Sequence, residues 1–525
     1  MSEQFGGVDN KTDQRQYVEA EEQKGLKRDL KLRHLTMIAI SGTIGTGLFL
    51  TSGQAIATAG PGGALIAYIL VGIWLVFVCQ AIGEIATLLP VPGAFNSWPA
   101  RFVDEAFAFQ MAWLYWFSWA ITIPAELSAC GIVMQIWTPN LPDWVWPVVI
   151  IVFLILVNLI GVKGYGELEY WFSILKVLTV IIFIICGILV DAGAVGGVTY
   201  GVSNWHIAGA PFKGGFLGVL SVIVSAAFAY GGTELTGVTA AESENPHSHV
   251  PKAVNTVLLR IGFFYIVSVF LECNILANNN PQLLLASKSN VAVAPFTLIL
   301  LKAGLYGAAT YMNAVIFTSV VSACNSDFYA STRMLLSLAR NGYAPHWLGY
   351  TNSRGVPIIS LAINVVFAAI ALVTIFVDSG IVFGWLSSVI GVMKLQSWLF
   401  IMILHFRFRY VWKAQGRPVK DLPYVAWGYP AGNILGTVIG VFLIIGNFYL
   451  SIVAGDPQTI FSAWAPWGLS IVLYLFWKFY KKTKFVRAED ADLDTGRWEP
   501  ADVTEEAKQE QAEKKWYHKI YDILT

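Results

Sequence analysis

Two stretches of this sequence offer backbone, rather than side chains, as the reactive surface. Gly42-Thr43-Ile44-Gly45-Thr46-Gly47 and Tyr230-Gly231-Gly232-Thr233-Glu234 each interrupt an apolar run. Glycine weakens a helix by about 1 kcal/mol relative to alanine. At bilayer depth, irregular backbone survives only where it is buried in protein or lines a cavity. A half-helix N-terminus exposes N–H groups and partial positive charge, which suits a carboxylate. A helix C-terminus exposes carbonyls, which suit an ammonium. Two broken helices running in opposite directions present both ends to one ligand, and an α-amino acid zwitterion fits them. Gly45, Thr46 and Gly47 would supply N–H groups and one hydroxyl to its carboxylate. Carbonyls near Thr43, Phe228 and Gly231 would take its amino group, with Tyr230 and Phe228 as an aromatic wall. The competing explanation for each stretch is close helix packing through small residues. Breaks at matching positions of two halves favour a transporter site instead.

Ionisable side chains inside apolar runs are the second signal, because each costs several kcal/mol to insert. Lys176 either alternates between charged and neutral forms or serves as a fixed structural cation. Glu126, one turn after Thr122, faces the ligand, accepts a proton or bonds a neighbouring helix. Glu234 follows the second break, so it latches that break or carries a proton. Glu84 suits an inner gate or packing pair, and Glu272 is expected to reach interfacial water. Ser387, Gly391 and Lys394 share one helical face. If that face lines the pocket, Lys394 would repel arginine and lysine and favour neutral or acidic amino acids. Otherwise Lys394 faces another helix and pairs with a buried carboxylate such as Glu126. Asn325 and Ser326 sit where site and scaffold meet.

The elements that hold these residues follow from composition. The chain has 525 residues, 56% hydrophobic and only 13% charged, against about 25% charged in a soluble protein. Several separate soluble cores cannot be coated with so little charge, so the main solvent is a bilayer. Net charge is +0, which gives no footprint for nucleic acid. Apolar runs predict an all-α membrane protein with twelve transmembrane helices over 35–57, 63–89, 107–137, 144–161, 167–190, 214–240, 256–277, 307–336, 357–377, 380–406, 431–454 and 463–480. Helices 1 and 6 are the discontinuous ones. Ala292 to Gly304 is too short to cross and is expected to lie at the surface or over an outer vestibule. Residues 1–34 and 483–525 form tails around the 35–482 transporter domain. Basic clusters at Lys24–Arg33, Arg407–Lys420 and Lys478–Arg487 place both tails in the cytoplasm. There they are the expected landing places for trafficking or ubiquitin machinery. The second tail reads as a solvated helix or disordered arm. The polar N-terminal segment lacks the apolar core of a signal peptide. The five cysteines lie in apolar stretches without a metal or disulfide spacing.

The residues also carry a resemblance. Leu30-Lys31-Leu32-Arg33-His34-Leu35 followed by Gly42 to Phe49 resembles the opening of the fungal amino acid permeases, in the amino acid–polyamine–organocation superfamily. Gly83-Glu84-Ile85-Ala86, Pro124-Ala125-Glu126-Leu127, Gly161 to Glu167 and Gly231 to Leu235 agree in order. So do Glu244-Asn245-Pro246, Asn325-Ser326, His405-Phe406-Arg407 and Asp494-Thr495-Gly496-Arg497. The resemblance implies a five-plus-five inverted repeat, two peripheral helices and proton-driven uptake at the fungal plasma membrane. It also implies that Lys176 stands where sodium-coupled cousins hold sodium, which makes Lys176 a candidate for proton coupling beside Glu234, which follows the second break. Two departures stand out. The chain ends Ile523-Leu524-Thr525, without the lipidated Phe-Trp-Cys tail of many relatives, and Lys394 occupies a position usually small or apolar.

Other classes lack their residues. No HExxH, GxSxG or Cys/His cluster suggests an enzyme, no GxxxxGK[ST] binds ATP, and no filter repeat suggests a channel. No cofactor is expected. A permease-like sensor would carry a longer cytosolic extension than the roughly 34 residues before span one. The expected cargo is a broad range of amino acids including neutral ones.

Overall fold

The computed structural model describes residues 44–91, 93–160, 162–234, 237, 240, 243, 245–283, 293–352 and 356–498. These residues build helices and connecting loops, with one isolated bridge between Ala192 and Thr199. In chain order the helices are α1 (Gly47–Leu88), α2 (Ala94–Phe102), α3 (Glu105–Met134), α4 (Val145–Ile160), α5 (Val162–Asp191) and α6 (Gly215–Ala229). They continue with α7 (Pro246–Ile275), α8 (Pro295–Lys302), α9 (Tyr306–Arg340), α10 (Ile358–Ile375), α11 (Ser379–Ala414), α12 (Ala431–Ala454) and α13 (Pro457–Lys481). Among the described residues, nine are long and apolar enough to cross a bilayer, while α4 and α6 are shorter apolar helices.

The first expected boundary, between 57 and 63, falls inside α1 as a kink. Gly60 adopts φ +77°, a left-handed conformation that a residue with a β-carbon rarely takes. The backbone groups freed there are taken up by the segment before α6. Pro211 O accepts from Gly62 N at 2.9 Å, and Lys213 N donates to Ala59 O at 2.9 Å. The loop leading into the second broken helix therefore stabilises the bend that ends the first.

Several ends extend beyond the apolar runs because caps fix them. Asn245 accepts from Ser248 N at 3.2 Å and Pro246 occupies the first turn, so α7 starts ten residues before the expected 256. Asp456 caps α13 at Thr459 N in the same way, again with proline next. The hydrophobic pattern alone does not report such polar first turns.

The core runs through α3 and α11, each 83% buried over its apolar window, whereas α12 and α13 are only 28% and 22% buried. Their exposed isoleucines, valines and phenylalanines are suited to lipid. All five cysteines are free thiols, four of them buried. The short helix α8 does not lie exposed at the surface, the first of its two expected placements. Its residues Pro295 to Leu300 are buried, and Phe296 stacks 3.5 Å from Phe183 and edge-on to Phe49. Glu272 is also away from interfacial water, at 0% exposure. The C-terminal end of α7 is covered because Trp205 Nε1 and Asn204 Nδ2 bond Asn274, and Lys302 Nζ bonds Ile275 O.

The start of the second tail, expected to be solvated, is instead docked. Val486 N donates to Val103 O at 2.8 Å, and Gln415 donates to Ala488 O and Ala491 O. Arg417 grips Asp494 with two bonds of 2.7 and 2.5 Å. The stretch Pro500 to Lys515 lies outside the described residues. Hydrogen bonds from Arg417 hold the Asp494 carboxyl below the usual carboxylate range. The pair is therefore at full strength above pH ~4 and is lost as pH falls through and below that value. Being mostly exposed, it contributes at most about 1 kcal/mol. Asp494→Asn should speed hydrogen exchange over 483–498 at pH 7 by about two- to fivefold. Wild type should lose this protection only in acid. Unchanged exchange at pH 7 would show that the pair does not hold the segment.

Candidate functional site

The second break is present where the sequence places it. α6 ends at Ala229, and the chain turns through Tyr230 to Glu234. Gly231 N returns to Phe228 O at 3.0 Å, Gly232 takes φ +93°, and Thr233 Oγ1 donates to Tyr230 O at 2.8 Å. Of the first break, Gly45, Thr46 and Gly47 are described, whereas Thr43 lies outside the described residues. Gly45 and Thr46 lead into a π-helical turn over Gly47–Thr51, and the first N–H groups of a helix have no intrahelical acceptor.

The two breaks meet. A β-carbon on Gly47 would collide with the Ala229 backbone, so the N-terminal end of α1 rests directly on the C-terminal end of α6. Donor groups and acceptor groups are thereby opposed in one place. Gly45 faces Ala323 of α9 at van der Waals distance, which brings a third helix to the junction. Tyr265 Oη already donates to Ala229 O at 3.0 Å.

Side chains around this junction are organised by charge pairing. Thr46 Oγ1 donates to Glu126 of α3, so the hydroxyl expected to meet a ligand carboxylate is held by a protein carboxylate in this structure. Lys394 of α11 reaches Glu234 Oε1 at 2.8 Å, with both groups buried. Its ammonium stands 4.3 Å over the Trp119 ring, and its stem runs beside Gly231. The partner of Lys394 is therefore Glu234 rather than Glu126. The second Glu234 oxygen accepts from Gly232 N at 3.2 Å, so one carboxylate latches both the break and the lysine. Lys176 pairs with Glu169 at 3.7 Å, and Ser322 of α9 donates to the same carboxylate at 2.8 Å.

The aromatic residues separate. Phe228 packs edge-on to Phe383 at 5.7 Å, beside the junction. Tyr230 instead stands between Tyr68 and Tyr265 with its hydroxyl on Tyr68 O at 3.1 Å. Glu84 lies at the other end of the bundle, gripped by Arg409 (2.5 and 2.8 Å), His405 (3.1 Å) and Ala426 N (2.6 Å). Asn325 accepts from Asn158 Nδ2 at 3.0 Å, joining α9 to α4.

A family model described as amino acid permease matches residues 34–489. The chain belongs to the amino acid permease family. The lysine-specific permease LysP of Escherichia coli is 41% identical over 89% of this chain and 96% of its own length. The general amino-acid permease GAP2 of Candida albicans is 37% identical over 94% of this chain and 84% of its own. The histidine permease HisP of Lactococcus lactis is 40% identical over 90% and 99%. The fungal resemblance thus extends to bacterial permeases. These relatives are transporters by name, not enzymes.

Sequence reasoning about this permease missed several buried charges. Glu169 sits seven residues before Lys176, two helical turns along one face, and that spacing was the available signal. Arg409 follows His405 by one turn. Asp327 adjoins Asn325-Ser326, and Arg260 is buried with no hydrogen-bond partner for its guanidinium among the described residues. These last two gave no pattern beyond being charges in apolar helices.

Breaking a buried pair from one side leaves an uncompensated charge and costs about 3–5 kcal/mol. Lys394→Met and Glu234→Gln should therefore each lower the unfolding midpoint of the purified permease. The double variant should be less damaged than the sum of the singles by about 2 kcal/mol or more. Strict additivity in that cycle would remove the pair from the account.

Proposed function

We propose that this permease is a secondary active symporter that imports amino acids with protons by alternating access. The observation carrying the proposal is the contact of Gly47 with Ala229, which opposes a helix N-terminus to a helix C-terminus at the glycine-rich breaks. N–H groups at Gly45, Thr46 and Gly47 receive the carboxylate of the substrate. Carbonyls near Thr43, Phe228 and Gly231 receive its amino group, and Phe228 encloses it from the α6 side, with Tyr230 set behind that wall between Tyr68 and Tyr265. Glu126 and Lys394 complete the polar surroundings. Lys176 and Glu234 act in coupling through their pairs with Glu169 and Lys394, which hold or release neighbouring helices as the cycle proceeds.

The fold reading behind this proposal is twelve spans in a five-plus-five inverted repeat. It is supported by the kink that divides α1 at Gly60, by the apolar character of α4 and α6, and by the low burial of α12 and α13. The distribution of basic residues supports both tails lying in the cytoplasm, and the likeness to the fungal permeases supports the plasma membrane as its location. Free energy is sufficient. One charge crossing 100 mV releases about 2.3 kcal/mol and one pH unit about 1.4, together enough for roughly 500-fold accumulation.

Glu234 bears on cargo. With its charge balanced by that carboxylate, Lys394 presents no net barrier to cationic amino acids, and the lysine- and histidine-named relatives agree with that. The range is broad and includes neutral amino acids. A sensor that binds but does not carry is the second reading.

The test is uptake of leucine, aspartate and lysine into proteoliposomes under an inward proton gradient, repeated after an ionophore. Gradient-dependent leucine accumulation, abolished by the ionophore, is expected. Saturable binding with no uptake of any of the three would replace the symporter with the sensor.

A further inference from the structure

Among the described residues, α7 buries a carboxyl that no cation answers. Glu272 is 0% exposed, and neither of its oxygens has a hydrogen-bond partner. Tyr265, Ser268 and Glu272 recur at i, i+3 and i+7, so they share one face of α7. That face begins at the glycine-rich junction, where Tyr265 Oη donates to Ala229 O at 3.0 Å. Glu272 stands about 10 Å further along the helix axis, on the outer side in the orientation proposed above. Ser268, between them, is equally buried, and its hydroxyl also lacks a partner. The residues flanking Glu272 fix the walls around it. Cys273 Sγ donates to Pro61 O of α1 at 3.3 Å, and Leu271 lies against Gly187 of α5. The roof is α8 with the Asn204–Trp205 turn, which bond Ile275 and Asn274. Charged and titratable groups on these elements are engaged elsewhere. Lys302 holds Ile275 O at 2.9 Å, Lys213 holds Ala57 O at 2.6 Å, and Asp191 accepts from Asn274 at 3.2 Å. Tyr68 of α1 meets Thr51 at 3.3 Å, Tyr230 reaches Tyr68 O at 3.1 Å, and Lys176 of α5 pairs with Glu169. Arg260 is on α7 itself, about 18 Å away along the axis.

We infer that Glu272 is a proton site, and that the outer end of the bundle closes over it only after it has bound a proton from outside. An ionised carboxyl with neither counter-ion nor hydrogen bonds costs several kcal/mol at this depth. The enclosed form is therefore the acid. The Ser52 hydroxyl of α1 faces the carboxyl, yet it donates to Leu48 O at 2.8 Å. It thus leaves Glu272 a lone pair to bond and no proton to accept, which again suits the acid. Lifting the roof brings water to the carboxyl, which then ionises. In the step, a hydronium ion outside gives its proton to the Glu272 carboxylate: an O–H bond forms, water is left, and the negative charge is removed. α8 and the Asn204–Trp205 turn then return over a neutral group. Closing of the outer side, which each turnover needs, becomes dependent on the proton concentration outside. This inference rests on the alternating access proposed above, and not on which group releases a coupled proton inside.

The test compares wild type, Glu272→Gln and Glu272→Asp in proteoliposomes, with an equimolar labelled mixture of leucine, aspartate and lysine as probe. Counterflow exchange is read with equal pH on both sides, at about pH 5.5 and about pH 8.5, a window in which none of the three side chains changes its charge. The wild-type rate is expected to fall by about tenfold or more from the lower to the higher pH. Glu272→Gln, which keeps the shape of the neutral acid, should differ by less than about twofold between them, whereas Glu272→Asp should fall as wild type does. The wild-type pH ratio persisting in Glu272→Gln overturns the proton site while leaving transport intact, and so does a wild-type rate that is the same at both pH values. Loss of exchange in both variants alike assigns the residue to structure and also overturns it. Absence of gradient-driven accumulation in wild type, with the expected pH ratios intact, removes the symport reading and keeps this site. Absence of counterflow in wild type removes alternating access, and the inference with it.

Discussion

An ionised side chain inside a bilayer-spanning bundle must find an opposite charge or a set of hydrogen bonds, and this constraint organises the permease. Among the described residues three buried pairs satisfy it, two of them between helices and one within α5 that also bonds a neighbour. Lys394 and Glu234 join α11 to the broken segment after α6. Glu169 joins Lys176 of its own helix to Ser322 of α9. Glu84 joins α1 to Arg409 and His405 at the end of α11. Pairs of this kind add little net stability compared with apolar packing, yet they are expensive to break from one side. They therefore act as latches: the helices they connect move together or exchange partners, but do not slide freely.

A second constraint, the satisfaction of backbone groups, sets where a ligand can be held. The first N–H groups of α1 and the last carbonyls of α6 have no partners within their own helices, and the Gly47–Ala229 contact brings the two ends together. On the proposed reading, recognition by backbone would let one site accept the part that all amino acids share. It leaves side-chain selectivity to neighbours such as Phe228 and the Lys394–Glu234 pair. Glu126, held by the Thr46 hydroxyl, sits beside that junction.

Much of this was legible in the sequence because bilayers simplify the code. The described part of the first break, Gly45 to Gly47, and the break at Gly231–Gly232 announced themselves as glycine clusters in apolar runs, and the Gly60-Pro61 bend fell inside an expected boundary. Polar caps at Asn245 and Asp456 escaped the hydrophobic count and lengthened their helices. The burial of α8 and Glu272 was not legible, since both depend on loops folding back over an end that local pattern shows as exposed. The partner of Lys394 was open for the same reason: facing is set by how helices turn against each other. Glu169 was within reach, because a fixed helical spacing linked it to Lys176. Asp327 was not, because nothing in the local pattern shows that its face of α9 is buried.

The central claim is that helix ends hold the α-amino and α-carboxylate groups. Competition for labelled leucine exchange by leucine, its methyl ester and its N-acetyl derivative tests it most directly. Removing either charge should weaken competition by about 100-fold, the loss of roughly 3 kcal/mol of charge-assisted hydrogen bonding. Competition by the ester or the N-acetyl derivative at the same concentration as leucine would contradict the account.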